Sequence, residues 1–68
     1  MKFVVCIDNS DYEASLELGK IYLVQEDEKA TDDLIRVVDE SGEGYLYQKE
    51  MFVSIKVPKK VEEVLLAV

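Results

Sequence analysis

Hydrophobic and polar positions alternate along most of this chain, and five runs carry the period of a β-strand. "KFVVCI" (Lys2–Ile7) places Phe3, Val5 and Ile7 on one face and Val4 and Cys6 on the other. Both faces are apolar, as expected of a strand inside a small, tightly closed sheet. "KIYLVQ" (Lys20–Gln25) sets Tyr22 and Val24 against Ile21 and Leu23. "LIRVVD" (Leu34–Asp39) directs Ile35 and Val37 inward and Arg36 outward. "GYLYQ" (Gly44–Gln48) and "FVSIKV" (Phe52–Val57) complete the set, the last stopped by Pro58.

The connections differ in kind. "DNSDYEASLELG" (Asp8–Gly19) is a long excursion in which Leu16 and Leu18 are spaced for an extended segment approaching a turn at Gly19. "EDEKATDD" (Glu26–Asp33) is polar and charged and reads as a solvated loop. "ESGE" (Glu40–Glu43) supplies Ser-Gly to a hairpin corner, where glycine accepts positive φ without a Cβ clash. "KEM" (Lys49–Met51) fits one helical turn. The period changes after Pro58: in "KKVEEVLLAV" (Lys59–Val68), Val61, Val64, Leu65 and Val68 form one helical stripe. So short a helix is not stable alone and must dock, most simply over the open end of its own barrel.

These elements predict a mainly β chain, a five-stranded small barrel over residues 1–58 with a short amphipathic helix, 59–68, packed on it. Closure would remove exposed sheet edges. The element order resembles the SH3-like barrel, and more specifically a group of small, uncharacterised proteins of bacteria and their phages. The resemblance is carried by "VCIDNS" (Val5–Ser10), "LELGKIYLV" (Leu16–Val24), "VVDESGEGYLY" (Val37–Tyr47) and Phe52. It implies a fold and no activity. Such proteins often place a proline after the "YLY" element, where this chain has Gln48.

Composition narrows the functions. The chain has 68 residues, one domain's worth, and a net charge of −7. Met1–Gln48 holds twelve acids against four bases, whereas Lys49–Val68 holds three acids against four bases. Such an acidic surface repels phosphate backbones and anionic membranes, so neither nucleic acid nor membrane is an expected partner. The apolar run at the start is too short for an export signal, and a lone Cys offers no internal disulfide, which together point to the cytoplasm. Charge of this size also keeps small proteins apart, favouring a monomer over a dimer.

Candidate chemistry is sparse. Without histidine, no Ser-His or Cys-His pair can be assembled, and Cys6 sits in an apolar strand. Asp39 and Glu43 read as solvated surface carboxylates, with no apolar groove to raise either pKa. Counted from Asp8, the long excursion fails the calcium-loop pattern at the fifth, sixth and twelfth places, and zinc ligands are lacking. No enzyme, cofactor or metal is expected.

The remaining option is recognition. In this topology the two long loops are expected side by side, flanking a shallow groove. They carry Asp8, Asp11, Glu13 and Glu17, then Glu26, Asp27, Glu28, Asp32 and Asp33, opposed by Lys29 alone. Gathered at one end, these carboxylates would favour a basic protein segment, with Tyr12 as an anchor and Tyr45, Tyr47 and Phe52 as further candidates for the groove lining. An acidic inhibitor mimicking nucleic acid, and an assembly role for the C-terminal stripe, are the alternatives.

Overall fold

A computed structural model describes residues 2–67. Its five strands are β1 (Lys2–Cys6), β2 (Ile21–Val24), β3 (Leu34–Val38), β4 (Gly44–Gln48) and β5 (Phe52–Ile55). A 3-10 turn, Lys49–Met51, links β4 to β5, and helix α1 spans Lys59–Ala67. Each expected element is present. Strand ends are trimmed by a residue or two where the chain turns, as at Ile7 and Asp39, and Val57 lies beyond β5. The 3-10 turn closes with the Phe52 N–H donating to Lys49 O.

All five strands form one antiparallel sheet in the order β4-β3-β2-β1-β5. The most buried strand, β1, lies between β2 and β5, with Val4 opposite both Tyr22 and Ser54 and Cys6 opposite Phe52. This register brings one parity of every strand to a single face. Val4, Cys6, Tyr22, Val37, Tyr47 and Phe52 meet there, joined by Leu16 from the β1–β2 loop and Met51 from the 3-10 turn. Val24 and Ile35 pack at the margin of the cluster. Full burial of side chains of this kind contributes roughly 1.5–3 kcal/mol each, which makes this face the main source of stability.

Closure is where the fold departs from expectation. β4 and β5 stand at opposite ends of the strand order, and no ladder joins them. They approach through side chains instead, with the Tyr47 and Phe52 rings edge-to-face at 5.9 Å. The 3-10 turn between them does not bring β5 back alongside β4, so each keeps an edge free of any neighbouring strand.

The opposite face of the sheet buries Phe3, where a cleft is lined by Phe3, Ile55, Val57 and Glu62. Glu62 is the α1 residue that reaches this cleft, and no described residue of α1 is fully buried. Leu65 and Glu62 are half-buried while Val61 and Val64 are exposed, unlike the expected stripe. Val68, the last member of that stripe, lies outside the described residues. No helix among the described residues is long and apolar enough to cross a membrane.

Candidate functional site

The β1–β2 loop is pinned as it leaves the sheet. Ile7 N–H donates to Met51 O at 2.8 Å, and Gly19 N–H donates to Cys6 O at 2.8 Å. Between these anchors the chain makes turns and not the extended segment that Leu16 and Leu18 suggest. Asp8 caps its own turn by accepting from Ser10 N–H at 2.9 Å, which lowers its carboxyl pKa. Asp11 adopts φ +70°, a conformation aspartate tolerates better than most residues. Leu16 N–H donates to Tyr12 O at 2.8 Å, making one helical turn that drives Leu16 into the core and leaves Leu18 exposed.

This loop then docks on the β3–β4 turn. Glu40 N–H donates to Ser15 O at 3.0 Å, and the Tyr47 and Ser15 hydroxyls lie 3.0 Å apart. Tyr22 hydroxyl accepts from Glu17 N–H and donates to Glu40, which also pairs with Lys20 at 2.6 Å. Lys20 and then Tyr22 hold the Glu40 carboxyl below its ordinary pKa. The turn itself is the expected corner, with Gly42 at φ +82°.

Asp39 corrects the expectation of a solvated carboxylate. It is only 6% exposed and accepts from the Tyr47 hydroxyl at 2.6 Å and from the Ser41 hydroxyl and amide. Burial pushes its pKa up, but the bonds from Ser41 and Tyr47 together outweigh that and hold it below the usual range. In return, burial and then the bond to Asp39 push Tyr47 up to about 12. The signal was present in the sequence. Asp39 continues the inward parity of Ile35 and Val37, so period two places it inside.

The two acidic loops do not share an end. β1 runs Lys2 to Cys6 and β2 returns with Val5 opposite Ile21 and Lys2 opposite Val24. The β1–β2 loop thus leaves the Cys6 end, and the β2–β3 loop leaves the Lys2 end. Asp8, Asp11, Glu13 and Glu17 stand at the first pole, joined by Asp39, Glu40 and Glu43 of the β3–β4 turn. Glu26, Asp27, Glu28, Asp32 and Asp33 stand at the second. A single short strand separates its flanking loops to opposite ends, and the first loop folds back on Met51 and the β3–β4 turn, not across the sheet.

The second pole is also less acidic than the loop sequence implies. Asp27 pairs with Arg36, and the Lys29 N–H and then Arg36 lower its carboxyl pKa. A cleft of about 720 Å³ there is lined by Glu26, Glu28 and Asp32 but also by Lys2, Arg36 and Lys49.

As Glu26, Glu28, Asp32 and Asp33 do at the second pole, Asp11, Glu13 and Glu17 at the first carry exposed carboxylates with no side-chain partner among the described residues. Beside them Tyr12 is 44% exposed and rests edge-on against the buried Tyr47 ring at 5.0 Å. Tyr45, 49% exposed, donates its hydroxyl to Glu43. Of the aromatic candidates, Tyr12 and Tyr45 face solvent, while Tyr47 and Phe52 belong to the core. Cys6 is fully buried, and burial raises its thiol pKa. No group of His, Cys, Asp and Glu among the described residues is arranged to hold a metal ion.

No family model, curated protein or solved structure matches this chain.

Proposed function

We propose that this chain is a small non-enzymatic interaction module of SH3-like barrel type that holds a basic segment of a protein partner at its first acidic pole. The SH3-like reading is supported by the strand order, the long β1–β2 loop and the 3-10 turn before the last strand. The binding reading rests on one observation. Tyr12 offers a half-exposed ring seated on Tyr47, in the same loop as Asp11, Glu13 and Glu17, whose carboxylates have no side-chain partner among the described residues. An aromatic ring amid unpaired carboxylates suits an arginine or lysine side chain, by charge and by cation–π contact. Glu26, Asp27, Glu28, Asp32 and Asp33 drop out of this contact, because they lie at the other pole. The lone buried Cys6 fits a cytoplasmic setting.

The test is titration with a lysine- and arginine-rich peptide, followed by backbone NMR shifts. Shifts should centre on Tyr12 and the β3–β4 turn, and binding should weaken as salt rises and the Debye length falls to about 8 Å at 0.15 M. Neutralising Asp11, Glu13 and Glu17 together should cost at least about tenfold in affinity, or about 1.4 kcal/mol. Absence of binding, or shifts confined to the β2–β3 loop, would refute the reading.

The separation of the acids has a second consequence. Carboxylates at both poles extend the negative surface, which favours the nucleic-acid mimic more than clustering at one end would. Competition with DNA for a captured binding protein distinguishes that reading.

A further inference from the structure

The two strands that end the sheet are not equivalent. Along β3 and β4, Asp39 N–H donates to Glu43 O at 3.1 Å and Lys49 N–H to Asp33 O at 2.9 Å. Both bonds lie in the register that pairs Val37 with Tyr45 and Ile35 with Tyr47. Alternation in an antiparallel ladder then assigns the backbone groups of Glu43, Tyr45, Tyr47 and Lys49 to β3. Those of Gly44, Leu46 and Gln48 point away from the sheet. Arg36 takes the Gly44 carbonyl at 2.6 Å. The N–H and C=O of Leu46 and Gln48 have no partner among the described residues.

The same reasoning on β5 leaves fewer groups, the Phe52 carbonyl and both groups of Ser54. Ile7 N–H bonds Met51 O in the register that pairs Val5 with Val53, so Phe52 and Ser54 point outward. Phe52 N–H is already used in the 3-10 turn, and the strand runs out into Lys56 and Pro58. Lysine and proline are the usual means of blunting an edge. β4 has neither: "GYLYQ" is uncharged, with Tyr45 and Leu46 exposed on its two faces.

We infer that β4 is a self-association edge, pairing antiparallel with β4 of a second copy about a two-fold axis at Leu46. Registers that set outward groups against outward groups differ by steps of two, and only the Leu46-centred one uses all three outward positions. It places Leu46 opposite itself, Gly44 opposite Gln48 and Tyr45 opposite Tyr47. It also places Glu43 opposite Lys49 at both ends, and the Lys49 ammonium has no partner among the described residues. Opposite charges meet twice where the net charge of −7 on each copy would otherwise repel. The patch is self-complementary, as a two-fold contact requires, and it does not depend on the peptide-binding reading.

Sedimentation of the full chain at rising concentration, up to millimolar, tests this. The mass should rise from 7.8 kDa toward twice that value. Leu46→Pro removes an outward N–H and leaves the β3 ladder intact, so it should abolish the rise. Should that variant not fold, charge reversal carries the test: Lys49→Glu should weaken association, and the Glu43→Lys/Lys49→Glu double variant should restore it. Leu46→Cys should cross-link on mild oxidation, because directly opposed strand residues lie about 5.5 Å apart at Cα, within disulfide reach. Gln48→Cys, set opposite Gly44, should not. A wild-type chain that stays monomeric at millimolar concentration overturns the inference. So does association indifferent to these changes, or equal cross-linking at both positions.

Discussion

Replacing Tyr47 with phenylalanine removes one oxygen and keeps the ring where it is, against Tyr12 and Phe52. That oxygen is the donor to Asp39 Oδ2 at 2.6 Å, whereas the Ser41 amide and hydroxyl both serve Oδ1. The variant therefore leaves one oxygen of a buried carboxylate without a donor. A hydrogen bond to a charged group is worth about 1.5–3 kcal/mol, so Tyr47→Phe should cost about 2 kcal/mol at neutral pH. For a chain of this size that lowers the melting temperature by about 10 °C. The deficit should also depend on pH. Asp39 is held below its unfolded pKa of about 3.9, so its contribution is fully present above that value and is lost as pH falls through the folded pKa. Removing the Tyr47 donor weakens that hold, so the gap between variant and wild type should be widest near neutrality and should narrow in acid. Urea unfolding followed by circular dichroism, at pH 7 and again near pH 2.5, measures both quantities. A deficit under about 0.5 kcal/mol, or one that is the same at both pH values, would refute the assignment of Asp39 as a buried, ionised partner of Tyr47.

Two further outcomes follow from the same core. Leu16→Ala should cost about 3 kcal/mol, since Leu16 is the buried side chain anchoring the β1–β2 loop, and amide exchange in that loop should accelerate; an unchanged loop would show that the hydrogen bonds to Met51 and Glu40 suffice alone. With Tyr47 pushed up to about 12 from an unfolded value near 10, its stabilisation is complete below pH 10 and fades as pH rises toward 12. Phenolate absorbance should therefore show a late-titrating fraction shared with Tyr22, which burial and the bond to Glu40 also push up; Tyr47→Phe should shrink that fraction to the Tyr22 part, and simultaneous titration of all four tyrosines would contradict it.

Much of the fold was legible in the residues themselves. Alternation set Val4 and Cys6 on one face of their strand and turned Ile35 and Val37 inward, Ser41-Gly42 marked the hairpin corner, and Lys49–Met51 read as a single turn. It also carried the position of Asp39, where polarity was allowed to outweigh parity. These are properties of neighbours along the chain, and a period of two or 3.6 residues is enough to express them. Other features depended on residues far apart in sequence. Which end of the sheet each acidic loop occupies follows from β1 pairing with β2. Arg36 meets Asp27, and Lys49 sits beside the second loop, only because β3 and β4 align. The exposed side of α1 did not follow its spacing either, since Val61 and Val64 are exposed while Glu62 and Leu65 are half-buried. Local pattern decides which way a side chain points. Only strand pairing decides what it meets there, because the partner's position is a consequence of the whole chain's register.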